Sequence, residues 1–318
     1  MNVLVTGGAG FIGSNLVETL VSSGNEVRVL DDASTGSLDN LEGIEPAPEV
    51  VVRDIRDREA VGEAVRGVEV VYHLAALPSV ARSVADPLGT HQVNVDGTLN
   101  VLQAARRGGV RRVVYASSSS VYGDTARLPK GEEMPLSPQS PYAASKAAGE
   151  GYCRAFARVY GLETVSLRFF NVFGPRQDPS SEYAAVIPRF IHRMLAGTSP
   201  EIFGDGGQSR DFTYVANVVD ALQLAAAAGP LAVGQALNVG CGSRTTLLEL
   251  VSILNGLLET SLVPTFSAPR AGDVRHSHAD ISQAERLLGY RPGVSVQEGL
   301  ASTVAWFAGR QAIPEGAR

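Results

Sequence analysis

The sequence predicts an α/β protein: a doubly wound, Rossmann-like parallel sheet with a smaller α/β lobe in its C-terminal part. Three observations predict it. Short β-branched runs alternate with helical patterns through the first half of the 318-residue chain. A glycine triplet, Gly7-x-x-Gly10-x-x-Gly13, stands directly behind the apolar run Val3-Leu4-Val5. Hydrophobic residues make up 44% of the chain, enough for a sizeable core. Strands separated by helices imply parallel βαβ units with right-handed crossovers.

In chain order, residues 3–5, 26–30, 49–52, 68–73, 112–116 and 163–168 read as strands. Helical stretches at 12–22, 60–65, 93–107 and 142–160 lie between them. After about residue 174 the loops grow richer in Pro, Gly and Ser, and helices at 186–196 and 246–258 alternate with short strands. The expected organisation is a dinucleotide domain over 1–173 and a lobe over 174–318 that covers the ligand crevice. Within the latter, about 213–240 returns to the first domain. Trp306 reads as core, and the tail after Phe307 is expected to fray. Ligands of such sheets sit beyond the carboxyl ends of the strands. Gly7, Asp31, Asp54, Ala75, Ser118 and Asn171 each follow a predicted strand.

Composition excludes several classes. A net charge of −6 argues against nucleic acid as a partner. Cys153 and Cys241 are the only cysteines and form no CxxC pair, so neither a disulfide framework nor a thiolate metal site is expected. His276 and His278 alternate as they would on one strand face, but no third ligand has suitable spacing, so no metal is predicted. Arg106-Arg107 and Arg111-Arg112 flank Gly108-Gly109 at a helix end, where cations cap and solvate. No apolar run spans a bilayer, and the first residues carry no basic region or cleavage site. A soluble, cytoplasmic protein is the expectation.

The glycine triplet follows a strand, opens a helix and precedes an acidic residue by about twenty positions, which is the context a dinucleotide cradle requires. Gly7 permits the tight turn, Gly10 lets the backbone approach a pyrophosphate, and Gly13 lets helix and strand pack closely. The helix N-terminus then presents free N–H groups to the anion. Asp31, ending the second strand, is placed to accept from ribose hydroxyls. Its carboxylate repels a 2′-phosphate, so NAD is predicted over NADP. Asp54 and Ile55, after the third strand, either border the adenine or are simply a polar strand end.

Tyr142 and Lys146 are four apart on a helix and therefore share a face. A phenol is a poor base at its ordinary pKa near 10, and an adjacent ammonium favours its anion. The pair thus suits proton transfer with a substrate hydroxyl. Pro141 fits the first turn of that helix. Ser118, at a strand end, is placed to bond both substrate and Tyr142.

With these motifs assembled, the chain resembles the extended short-chain dehydrogenase/reductases, and among them the UDP-hexose 4-epimerases. The likeness runs from Val3 to about Trp306. It is carried by Thr6-Gly-Gly-Ala-Gly-Phe-Ile-Gly13, Asp31-Asp32, His73-Leu-Ala-Ala76, Asn94-Val-Asp-Gly-Thr98, Ser117-Ser-Ser-Ser-Val-Tyr-Gly123, Ser140-Pro-Tyr-Ala-Ala-Ser-Lys146, Arg168-Phe-Phe-Asn171, Arg210-Asp211 and Arg270-x-Gly-Asp273. The resemblance implies a catalytic trio of Ser118, Tyr142 and Lys146. It implies that Phe11, Ile12, Asp32, Leu74, Ala75, Ala76, Asn94 and Ser117 join the NAD site. On the substrate side it implies that Ser119 and Asn171 touch the UDP-sugar, that Ala185 and Val186 line a uracil pocket, and that Arg210, Arg270 and Asp273 hold the diphosphate and ribose. The implied reaction passes through a 4-keto sugar that turns over and takes back the same hydride, so NAD stays bound. A homodimer through the 93–107 and 142–160 helices is also implied.

Relatives that decarboxylate or dehydrate nucleotide sugars typically carry a Glu before Val-Tyr-Gly, where this chain has Ser119 and Ser120. Epimerisation is therefore expected, with decarboxylase or dehydratase as the alternative. A non-catalytic nucleotide-sugar-binding regulator is the more distant one, since it would be expected to lose Tyr142 or Lys146. Asp178 would repel a sugar carboxylate, which favours a neutral sugar. In these epimerases the position four after Asp273 gates the sugar C2 substituent, and Ser277 there leaves room for an N-acetyl group. UDP-glucose and UDP-galactose are expected substrates, with UDP-GlcNAc and UDP-GalNAc also accepted.

Overall fold

The computed structural model describes residues 1–179, 185–268 and 274–311. Strands β1 (Asn2–Thr6), β2 (Glu26–Asp31), β3 (Glu49–Val52), β4 (Val70–His73), β5 (Arg112–Ser118) and β6 (Glu163–Phe169) form where β-branched runs predict them. Shorter strands follow: β7 (Val172–Phe173), β8 (Glu201–Phe203), β9 (Ser209–Arg210), β10 (Thr213–Tyr214), β11 (Gln235–Val239), β12 (Thr245–Thr246) and β13 (Thr265–Ser267). One sheet takes β1 to β6 and β11 in the order β11-β6-β5-β4-β1-β2-β3, every neighbouring pair parallel. The order reverses between β1 and β4, which opens a crevice at the strand ends.

A parallel sheet covered on both faces reads as an unbroken apolar run, and β1 shows why. Val3, Leu4 and Val5 are all buried, yet Val3 and Val5 join one core cluster while Leu4 joins the other. Helices α1 (Phe11–Ser22), α2 (Arg58–Ala64), α3 (Val80–Ala85), α4 (Pro87–His91), α5 (Thr98–Arg107) and α6 (Pro141–Tyr160) follow in order. Those after them are α7 (Val186–Leu195), α8 (Val215–Ala227), α9 (Leu247–Leu258), α10 (Ser282–Leu288) and α11 (Val296–Gln311). Residues of α1, α8 and α10 fill one layer; residues of α2, α5 and α6 fill the other. A third core, centred on Phe190, Ile191, Leu250, Leu254 and Leu300, joins α7, α9 and α11 into the smaller lobe. Thus α8 and β11 belong to the sheet layer although they lie late in the sequence.

Three details differ from the sequence expectation. The 93–107 helix is not uniform: a π-helical turn, Gln92–Gly97, precedes α5. The widened turn lets Asn94 point inward, where its side chain bonds Leu77 N (2.8 Å), Leu77 O (3.2 Å) and Ser145 Oγ (3.0 Å). Arg112 caps not its own neighbourhood but the end of α8, donating to the carbonyls of Ala225, Ala226 and Ala228 while pairing with Glu163 at 2.8 Å. Helix α11 runs past Phe307 to Gln311, because Val304 and Phe307 are anchored in the third core; the rest of the tail expected to fray lies outside the described residues.

Candidate active site

The glycine turn makes one wall of the crevice. Gly7 has φ of +74°, and a Cβ there would lie 2.6 Å from Ala75 N; at Gly13 it would lie 2.0 Å from Gly7 O. Only glycine fits at either position. No side chain caps α1 at Gly10, so its first-turn N–H groups stand available to an anion. Asp31 ends β2 nearly buried, and its carboxylate accepts from Ala9 N (2.9 Å) and Ala33 N (2.8 Å). Burial pushes its pKa up, and those two amide bonds oppose the shift. The same carboxylate therefore braces the glycine turn and faces the crevice. Asp32 accepts from Ser34 N and Oγ. Asp54 is already engaged by Arg56, whose side-chain hydrogen bond holds that carboxyl below its ordinary range.

One cleft of about 260 Å³ is lined by Gly7, Gly10, Phe11, Ile12, Gly13, Asp31, Asp32, Asp54, Ile55, Leu74, Ala75, Ala76, Ser117, Tyr142 and Lys146. Ser34, Thr35, Arg53 and Pro78, to which no motif points, also line it, as does Phe169 of the Arg168-Phe-Phe-Asn171 motif. Of the residues expected around NAD, Asn94 alone is absent from the lining; it is buried behind the wall, clamping Leu77. A pyrophosphate cradle that any Cβ would fill, opposite a ribose-side carboxylate, fits a nicotinamide dinucleotide.

Helix α6 supplies the opposite wall. Ser140 caps it by accepting from Ala143 N (3.1 Å), Pro141 occupies the first turn, and Gly161 ends it in the left-handed region. Lys146 is buried, donates to Ala116 O (2.8 Å), and has Nζ 5.9 Å from the Tyr142 ring centre. Burial lowers its pKa to about 8, with Cys153 and Glu150 opposing. Tyr142 is pushed up by burial, and its hydrogen bond with Ser118 pulls the other way. The expected lowering by Lys146 is therefore not the governing influence on Tyr142; desolvation is. His73 bridges Thr6 Oγ1 (2.7 Å) and Thr98 Oγ1 (2.9 Å), and burial, helped by Lys146, lowers its pKa to about 3, so it is neutral.

Ser118 caps the short turn Ser119–Tyr122, accepting from Ser120 N and Oγ. Ser119 sits half-buried on that turn. Ser117 donates to Glu150 Oε1 at 2.5 Å, so its hydroxyl hydrogen is committed away from the cleft.

Among the described residues expected only on the substrate side, Ser119, Asn171, Ala185, Val186, Arg210 and Ser277, none lines that cleft. Asn171 is exposed, with φ of +28°, and its carbonyl accepts from Thr213 N. Ala185 is the exposed N-cap of α7, and Val186 packs against the third core. Arg210, on β9, donates to Ser209 O (3.0 Å) and Arg275 O (3.2 Å). Ser277 is buried, its amide donating to Ser209 O at 3.0 Å. Arg270 and Asp273 lie outside the described residues. Among those described, no cluster of three metal-ligating side chains occurs and no helix is long and apolar enough to cross a membrane.

Residues 3–240 match the NAD dependent epimerase/dehydratase family. The chain belongs to this family. It is 45% identical over 311 residues to the UDP-glucose 4-epimerase of Mycolicibacterium smegmatis, covering 96% of this chain and 98% of that one. Among solved structures it is similar to the UDP-N-acetylglucosamine 4-epimerase of Methanobrevibacter ruminantium in complex with UDP-N-acetylmuramic acid. That likeness has a TM-score of 0.93 at 40% identity, over 97% of this chain and 98% of that one. The NAD complex of Thermus thermophilus UDP-glucose 4-epimerase gives 0.88 at 40% identity, over 97% and 99%. Membership of an NAD-dependent family agrees with the cradle built by Gly7, Gly13 and Asp31.

Proposed function

We propose that this chain is a UDP-hexose 4-epimerase that keeps NAD bound as a prosthetic group. The observation that carries the reading is the single cleft shared by the glycine cradle, Asp31, Tyr142 and Lys146. Bound there, NAD supplies a reversible hydride acceptor for the sugar C4. Gly7, Gly10 and Gly13 with the α1 N-terminus hold the pyrophosphate, Asp31 and Asp32 the ribose, Asp54 and Ile55 the adenine. Leu74, Ala75 and Ala76 form the floor. Tyr142 takes the proton of the 4-hydroxyl, Ser118 steadies both oxygens, and Lys146 supplies positive charge beside the phenol. Tyr142 would take the 4-hydroxyl proton as the C4 hydride leaves and give it back as that hydride returns; with the 4-keto sugar turned over, the hydride would return to its opposite face, inverting C4 without net oxidation.

The substrate reaches this centre from the lobe formed mainly by residues 174–318. There Asn171, Arg210, Arg270 and Asp273 hold the diphosphate and ribose, Ala185 and Val186 the uracil, and Ser119 the sugar. Small Ser277 admits an N-acetyl group. Ser119 and Ser120, on the turn after Ser118, offer no carboxylic acid for elimination. That supports epimerisation over decarboxylation or dehydration.

The working form is a cytoplasmic homodimer packed through α5 and α6. Supporting this, α6 exposes Tyr152, Val159 and Tyr160, and α3 and α4, which pack against α6, expose Val84 and Leu88. Light scattering coupled to gel filtration tests it, and a monomer at micromolar concentration would exclude it. Incubating the purified protein with UDP-glucose and, separately, UDP-GlcNAc tests the reaction. Equal-mass 4-epimers are expected. A product lighter by water or carbon dioxide would transfer the chain to the lyases.

A further inference from the structure

A polar row crosses the carboxyl end of the sheet beneath the site. Ser117 of β5 stands in register with Arg168 of β6, and Arg168 with Asn238 of β11. All three are buried. Glu150 reaches this row from α6, one helical turn beyond Lys146 and on the same face. Its carboxylate accepts from Ser117 Oγ (2.5 Å) and from Arg168 Nε (2.9 Å) and Nη2 (2.7 Å). Arg168 Nη1 donates to Tyr122 Oη (2.7 Å), and Tyr122 donates to Asn238 Oδ1 (2.7 Å). Asn238 Nδ2 then donates to the carbonyls of Lys130 (2.8 Å) and Asp280 (3.0 Å). Lys130 pairs with the segment that follows Ser277, bridging to Ala279 and bonding His278 O.

A buried ion pair is weak evidence for stability, because apolar residues of similar volume commonly do as well. This pair has a different geometric consequence. Two bonds one turn apart, Lys146 Nζ to Ala116 O and Ser117 Oγ to Glu150, pin the end of β5 to α6. They adjoin the pair formed by Ser118, the next residue of β5, and Tyr142, one turn before Lys146 on α6. Glu150 also places a negative charge beside the Lys146 ammonium.

We propose that Glu150 and Arg168 are positioning residues of the reaction centre. They hold Ser118 and Lys146 at working distance from Tyr142 and, through Tyr122 and Asn238, tie that geometry to the segment carrying Ser277. The proposal rests on the epimerase reading, and its test separates the two. If wild type does not epimerise, the reading fails; if it does, the variants decide the pair.

The double variant Glu150→Met/Arg168→Met replaces the pair with apolar side chains of similar length. It is expected to fold, to retain NAD, and to bind UDP-glucose within about threefold of wild type, while kcat falls at least about thirtyfold. A folded double variant with wild-type kcat would overturn the proposal. The second variant, Glu150→Gln, keeps one oxygen to accept from Ser117 Oγ and Arg168 Nε, gives up the bond from Arg168 Nη2, and removes the charge. Its alkaline limb of kcat against pH should move down by about one unit, since Lys146 then loses its proton more readily. An unmoved limb would likewise overturn it, and should the double variant not fold, this profile decides alone.

Discussion

The cofactor half and the C-terminal lobe build their sites from different material. The dinucleotide cradle of the cofactor half uses mainly backbone. Gly7 and Gly13 are fixed by main-chain approaches that no side chain survives, and the ligand faces are helix and strand ends. The lobe uses side chains to join segments far apart in sequence. Its strands come as two- and three-residue pairs, β7 with β10, β9 with β12, and β8 with β13. One buried carboxylate, Asp211, accepts from Cys241 N (2.8 Å), Gly242 N (3.1 Å) and Ala279 N (3.1 Å), a task that a strand ladder performs in the larger sheet. Backbone sites tolerate little change; side-chain sites can be retuned. The chemistry should therefore be all-or-none in the first region and graded in the second.

The largest effect tests the first half of that contrast. Tyr142→Phe removes the proton acceptor and leaves the ring in place. Turnover on UDP-glucose should fall by about 10²–10⁴-fold, with the NAD content of the purified protein unchanged. Near-normal turnover would dissolve the assigned role.

The same division decides what the sequence made legible. The cradle and the Tyr142–Lys146 pair lie within short stretches whose spacing translates directly into helix faces and turn geometry. Six of the seven sheet strands could be read from local patterning. The seventh, β11, has no such local signal, because its partner β6 lies about seventy residues upstream. The Glu150–Arg168 pair carries two separate signals, a carboxylate one turn after Lys146 and the arginine that heads Arg168-Phe-Phe-Asn171, and nothing local that joins them. Its partners Tyr122 and Asn238 come together through strand order, which no local pattern encodes. Asn94 shows a limit of another kind: its motif is local, but the π-helical turn that points its side chain to Leu77 and Ser145 is not encoded by any local pattern.

A second test probes charge in the cofactor half. Lys146 sits near pKa 8, so its ammonium is present below that value and is lost above it. The rate should decline as pH rises through about 8, by up to about tenfold per unit. A rate constant to pH 9.5 would show that the ammonium is dispensable.

The lobe answers to stability first. Burial raises Asp211 to about 6, against 3.8 for an ordinary aspartate. The folded state then binds a proton more tightly than the unfolded one. Its contribution is fully present below 3.8 and is lost as pH rises through 6. Asp211→Asn should flatten that component, so the melting temperatures of variant and wild type should converge or cross between pH 4 and 6.5. Asp211→Ala orphans three amides and should cost about 2–3 kcal/mol, read from denaturant unfolding. Parallel melting curves across that pH range would show that Asp211 does not titrate in the fold.

The smallest effect is the most informative about the lobe. Ser277 is buried, and its amide is fixed to Ser209 O, so the backbone at this position cannot easily retreat from a larger side chain. Ser277→Tyr should therefore fill space rather than displace the segment. If that space receives the sugar C2 substituent, kcat/KM for UDP-GlcNAc should drop about tenfold or more while UDP-glucose changes little, because one pocket contact is worth about 1–3 kcal/mol. Equal losses on both sugars would mean that the position supports the lobe without reading the sugar. Selectivity without loss of turnover would make Ser277 the graded counterpart of Tyr142: the cofactor half sets whether C4 reacts, and the lobe sets whose C4 it is.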